Sequence, residues 1–266
     1  MGEDTLSTLQ WLVEAGAGEA MGEAPVNRLV PAPPPPAPLQ ARTAPPRPAA
    51  PVPMAGDSVS SAQAAAAGAQ SLAELKAALE TFDGCGLKRT ATNTVFADGT
   101  PSGRVMFIGE APGRDEDRIG KPFVGRAGQL LDKMLASVGL DRNVNAYITN
   151  VINWRPPDNR DPSPEEAAMC LPFLRRHIEL ANPGVIILLG AVAARHVMGL
   201  TEGIMKSRGR WMEYRVGDRM VPIMPTLHPA YLLRQPAHKK LAWRDLQAIA
   251  AKIQALGLME PRVRGN

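Results

Sequence analysis

Two cysteines, Cys85 and Cys170, are all that 266 residues contain. That excludes the disulfide framework of a small secreted domain. Long apolar runs are missing too, and no stretch would span a bilayer. The opening MGEDTLSTLQWLVEAG has no basic segment ahead of its apolar residues, so a signal peptide is not expected. It also misses the N-myristoylation pattern, because Leu6 stands where Ser or Thr is required. No HExxH or comparable ligand cluster occurs, so no metal is expected. These absences point to an intracellular protein without a membrane anchor.

What is present is unevenly spread. Leu29 to Pro53 is mostly Pro and Ala, and Ala55 to Gln70 mostly Ala, Ser and Gly. Such composition buries too little apolar surface to offset its ordering entropy. Residues 29–70 are therefore predicted to be a disordered linker. Ahead of it, residues 1–28 include Leu6, Leu9, Leu12 and Val13 at helical spacing. That amphipathic segment is a candidate docking site for a protein partner. Residues 1–70 carry a net charge of −3, whereas the chain as a whole is +4, leaving +7 for residues 71–266. A basic body suits a polyanionic partner.

The folded domain is predicted over residues 71–258, with 259–266 as a tail. SLAELKAALETF starts it as a helix with Ser71 as N-cap and Glu74 completing a capping box. Strands are predicted at Arg104–Ile108, Ala146–Val151, Gly184–Leu189 and Val221–Pro225. Helices are predicted at Ala127–Val138, Pro164–Ala181, Ala191–Met198 and Lys239–Leu256. Arg210–Arg215 reads as an antiparallel or edge strand. This alternation predicts an α/β fold with a parallel sheet and helices on both faces. Ligands then bind beyond the carboxyl ends of the strands.

Three strand ends carry the chemistry. The first runs into GEAPG (109–113), where glycines allow a tight turn and close approach to a ligand, and Glu110 sits at the strand end. PFVG places Phe123 in a loop, where an aromatic ring can stack on a planar base. The second ends in Asn150, whose amide carries a donor and an acceptor side by side. The last leads to His228 and Pro229, with Leu232 and Leu233 following.

The motifs GEAPGRDEDRIGKPFVGRAGQLL, ITN and HPAYLLR resemble the signature of uracil-DNA glycosylase family 4, in the family's order. The resemblance covers residues 71 to about 256. It implies a three-layer α/β/α sandwich around a central, mainly parallel four-stranded sheet. It implies base excision repair: uracil is flipped out of DNA and its glycosidic bond hydrolysed, leaving an abasic site. On that reading Phe123 stacks on the base, Asn150 hydrogen-bonds its edge, and backbone of Gly109 and Ala111 lines the pocket. His228 supports the leaving base and Glu110 positions or activates water. Arg126 and Arg234 are candidate phosphate contacts, and Leu232 and Leu233 match the segment that enters the space vacated by the flipped base. The partner is uracil-containing DNA, and a monomer is expected.

The chain departs from the family at the cysteines. Most members hold a [4Fe–4S] cluster, which takes four thiolates. Cys85 and Cys170 match two of those positions, while Phe82 and Trp154 replace the other two. No cofactor is expected. The alternative to a glycosylase is a non-catalytic or covalently trapping uracil-DNA-binding protein. The trapping relative carries a basic loop with a His after the second strand, and residues 151–164 contain no His.

Overall fold

Strands buried on both faces of a parallel sheet read as unbroken apolar runs, and three such runs form the centre of this molecule. The computed structural model describes residues 55–258. Strands β2 (Val105–Gly109), β3 (Ala146–Asn150) and β4 (Val185–Leu189) are buried at every position. With β6 (Arg219–Thr226) they make a four-stranded parallel core. Two antiparallel strands close its edges, β1 (Asp98–Gly99) on β3 and β5 (Met212–Val216) on β6. The order is β1-β3-β2-β4-β6-β5. The sheet thus has six strands rather than four. The two-residue β1 is too short to leave a periodic trace, whereas the edge strand expected at 210–215 is β5.

Successive strand residues point to opposite faces, and the core divides accordingly. Met106, Ile108, Ile186 and Leu188 face α2 (Leu72–Thr81), α5 (Pro164–Ala181) and α6 (Ala191–Met198). Val105, Phe107, Ile148 and Ile187 face α4 (Arg126–Ser137), α8 (Pro229–Arg234) and α9 (Lys239–Ala255). The chain adds β3 on one side of β2 and then β4 on the other, so the direction in which strands are added reverses between β2 and β4. The carboxyl ends there form the crevice in which ligands of such sheets bind. Short helices α3 (Arg114–Ile119) and α7 (Ile204–Ser207) complete the described elements. None of the described helices is long and apolar enough to cross a membrane.

The predicted linker is corrected over its second half. Ala55–Gly68 is a helix, α1, and Ala62, Ala66 and Ala69 are buried in the core face shared with α5. Arg176 of α5 donates through Nε and Nη2 to the Ala69 carbonyl at 2.9 and 2.7 Å. Alanine has the strongest helix propensity, and its small side chain lets two helices approach closely. Composition alone undervalued both effects. Residues 1–54 and 259–266, including the amphipathic segment, the Pro-rich stretch and the tail, lie outside the described residues.

The capping box expected at Ser71 is half formed. Ser71 Oγ accepts from the Glu74 amide at 3.2 Å, but the Glu74 carboxylate accepts from the amide of Gln70, not of Ser71. A reciprocal box closes α5, where Ser163 and Glu166 each accept from the other's backbone N–H. Such caps contribute about 1 kcal/mol.

Candidate active site

Three strand ends and one loop meet in a cleft of about 340 Å³. Glu110, Ala111, Phe123, Asn150, His228 and Arg234 all line it. β2 and β3 are in register at Gly109 and Asn150. Beyond the strands the pairing continues, since the amides of Val151 and Ile152 donate to the carbonyls of Gly109 and Glu110 at 3.0 and 2.9 Å. That lock fixes Glu110 and Asn150 side by side.

Asn150 is only 2% exposed. Its Oδ1 is the one buried side-chain polar atom among the described residues that has no hydrogen-bond partner. Leaving a buried acceptor unpaired costs about 1–3 kcal/mol, so its persistence in a cleft wall marks a site that awaits a donor. Gly109 explains how it is reached. A Cβ there would lie 2.4 Å from Asn150 Oδ1 and 2.6 Å from the Phe123 ring, so only glycine lets the amide and the aromatic ring converge.

Phe123 sits at φ +54°, a left-handed conformation that costs a non-glycine residue about 1–3 kcal/mol. Its ring is 5% exposed and lies 5.5 Å from the His228 ring, tilted by 34°. The ring is held in the cleft wall by a strained backbone, a feature that clusters at functional sites.

His228 is the N-cap of α8. Its Nδ1 accepts from the Ala230 amide at 3.1 Å, so a neutral ring carries its proton on Nε2 and presents a donor. Burial, helped by the Arg234 charge, pushes its pKa down to about 4, and the ring is neutral at pH 7. The end of β6 just before it is anchored to α9. Asp245 accepts from Thr226 Oγ1 at 2.7 Å and from Arg208 Nε at 2.9 Å.

Glu110 has the opposite bias. Burial, with the nearby Asp161 charge, pushes its pKa up to about 7 against the pull of Arg195 and Arg234. A carboxyl poised near the working pH suits proton transfer.

Not every predicted residue joins the cleft. Leu232 is 1% exposed and packs in the core with Ala242 and Leu246. Its side chain faces that core and not the cleft. Leu233, beside it, is 36% exposed. Arg126 is exposed at the start of α4 but is not part of the cleft wall. Among the wall residues that carried no assigned role in the sequence are Pro156, Asn159 and Arg160. Asp158 and Asn159 both have positive φ, a conformation Asp and Asn tolerate, so the RPPDNR run was a legible turn signal.

Cys85 and Cys170 are buried in one apolar cluster. Phe82 packs on Phe173 with ring centroids 5.2 Å apart, and Trp154, 1% exposed, donates Nε1–H to Thr94 Oγ1 at 2.9 Å. Two thiols and two packed aromatic rings do not fit a group that needs four thiolates. Among the described residues, no three His, Cys, Asp or Glu side chains gather closely enough to hold a metal ion.

The chain is similar in sequence to uracil-DNA glycosylases. The uracil DNA glycosylase superfamily model matches residues 96–247, which include every cleft residue named above. The type-4 uracil-DNA glycosylase of Thermotoga maritima is 41% identical over 176 residues, covering 65% of this chain and 90% of that protein. The type-4 enzyme of Archaeoglobus fulgidus is 42% identical over 169 residues, 62% of this chain and 84% of its own length. That of Sulfurisphaera tokodaii is 38% identical over 184 residues, 67% and 83% of the two chains. A family model matched over more than half of the chain and relatives matched over most of their length lead to one conclusion: this chain belongs to the uracil DNA glycosylase superfamily, among its type-4 members.

Proposed function

We propose that the protein is a monofunctional uracil-DNA glycosylase, which hydrolyses the N-glycosidic bond of flipped-out deoxyuridine and leaves an abasic site. The observation that carries this reading is the unpaired, buried Oδ1 of Asn150 in the cleft wall beside Phe123. Uracil presents N3–H next to a carbonyl oxygen, which pairs with one amide face through Oδ1 and Nδ2. Cytosine presents an acceptor at N3, and would set two acceptors against each other. A base flipped into the cleft stacks on Phe123.

As the C1′–N bond breaks, positive charge grows on the sugar and negative charge on the base. The Nε2–H of neutral His228 donates to that anion. Glu110 as a carboxylate takes a proton from the attacking water and lies against the growing positive charge. Arg234, exposed at the cleft, contacts backbone phosphate, with Arg126 as a more distant contact. Leu233 supplies the exposed apolar side chain that fills the space left by the base.

The sign of the pH dependence follows from Glu110. The active form is the carboxylate and its pKa is about 7, so kcat/KM rises with pH through that value and then levels. Glu110→Gln lowers the rate by about 10²–10⁴-fold and removes that limb. A labelled uracil-containing oligonucleotide, cleaved by alkali after reaction, reads both. A limb that persists in Glu110→Gln assigns the titration elsewhere.

The domain works without an iron–sulfur cluster in this scheme, because packed aromatic rings hold the region that four thiolates hold elsewhere in the family. Iron analysis of protein purified without oxygen should find far fewer than the roughly four irons per chain of a cluster. A stoichiometric content with the cluster's visible absorption would overturn this.

A further inference from the structure

The positive φ of Phe123 needs a cause outside the residue itself. A free chain would relax by rotating about the N–Cα bond, since the left-handed region is disfavoured for a residue with a Cβ. Relaxation changes the angle between two peptide planes: the one before Phe123, which holds the Pro122 carbonyl, and the one after it, which holds the Phe123 carbonyl and the Val124 amide.

Both planes are bound by the same guanidinium. Arg142 donates Nη1 to the Pro122 carbonyl at 3.3 Å and Nη2 to the Phe123 carbonyl at 2.9 Å. Arg142 is itself fixed by carboxylates, Asp132 of α4 on Nε at 2.8 Å and Asp98 of β1 on Nη1 at 3.0 Å. Its side chain is 11% exposed. From the other side, Glu116 of α3 accepts from the amides of Val124 and Gly125, both at 2.9 Å. The first turn of α4 closes the remaining direction, because a Cβ on Gly128 would lie 1.8 Å from the Phe123 carbonyl oxygen. Arg142 is not among the residues that line the cleft, so its effect on the site passes through the backbone of Phe123.

We propose that Arg142 is a positioning residue that sets the plane of the Phe123 ring by holding the two peptide units on either side of it. A planar fork with several fixed donors can bind two planes at once; a lysine ammonium, a single point of charge, cannot. The proposal rests on the reading of Phe123 as the stacking platform, and the test separates the two.

The test is a double-mutant cycle on the full chain. Arg142→Lys is made in the wild-type and Phe123→Ala backgrounds, with Arg142→Ala as the harsher variant. Cleavage of a uracil-containing oligonucleotide gives kcat/KM, free uracil as an inhibitor gives its Ki, and thermal unfolding gives Tm. In the wild-type background Arg142→Lys is expected to lower kcat/KM by about 10-fold, within the roughly 10²-fold that a 1 Å misplacement costs. It weakens uracil inhibition in parallel while Tm stays close to that of the parent, because the ion pairs to Asp98 and Asp132 survive. In the Phe123→Ala background the same substitution changes kcat/KM less than about 2-fold, the non-additivity of residues acting as one unit. An equal loss in both backgrounds, with Phe123→Ala itself impaired, overturns the positioning role alone. A Phe123→Ala enzyme with unchanged kcat/KM and Ki overturns the platform reading, and this proposal with it.

Discussion

Asn150→Leu should abolish most activity while leaving the fold as stable as before, or more so. The two halves of that result have one cause. Oδ1 of Asn150 is buried without a partner, and an unpaired buried acceptor costs about 1–3 kcal/mol. Leucine has a similar shape and nothing to desolvate, so urea unfolding should show a gain of up to that size. Activity moves the other way. A site built to hydrogen-bond its substrate loses about 10⁴–10⁵ in discrimination when the partner group is missing, and a loss of at least 10²-fold in kcat/KM on uracil-containing DNA is expected. Normal cleavage by Asn150→Leu would remove the basis for assigning the base edge to this residue. A large fall in stability with the substitution would mean that the amide holds the fold together.

His228→Ala should fall on kcat with KM almost unchanged, by about 10²–10³-fold. On the proposed mechanism the donor on Nε2 meets an oxygen that is neutral in bound substrate and anionic only as the bond breaks. Interactions made in the transition state alone appear in kcat and kcat/KM together. His228→Gln keeps a donor on a side chain of comparable reach and should recover part of the loss. Single-turnover kinetics with enzyme in excess separate this step from product release. Should the loss appear in KM alone, His228 would be a binding residue with no part in supporting the leaving base. The ring's low pKa, about 4, adds that the donor is a neutral imidazole throughout the working range. No activity limb near pH 6.5 should therefore be traceable to it.

Much of this site was legible as residue types at strand ends. Glu110, Phe123, Asn150 and His228 were each placed by a short motif next to an apolar run, because a parallel sheet presents its carboxyl ends to one crevice. The helices Pro164–Ala181 and Ala191–Met198 agree with the predicted limits, since capping residues and apolar periodicity are local signals. The helix Ala55–Gly68 was lost for the opposite reason. Its stability comes from packing against α5, a partner more than a hundred residues away, and an Ala-Ser-Gly run carries no local sign of that.

Residues that act through space were not legible either. Leu232 and Leu233 are neighbours in sequence, yet one faces the core and the other is exposed; the orientation of α8 on α4 decides which. Arg142 lies 19 residues from Phe123 in sequence and 2.9 Å from its carbonyl oxygen. Asp98 reaches Arg142 from a two-residue edge strand. The sequence alone determined the fold class and brought forward Glu110, Phe123, Asn150 and His228, which line the cleft, because periodicity and motif spacing are written along the chain. Tertiary structure alone decided the neutral state of His228, the raised pKa of Glu110, the orphaned oxygen of Asn150 and the clamp on Phe123. Each of those depends on burial and on charges brought close by folding, and neither has a signature in one dimension.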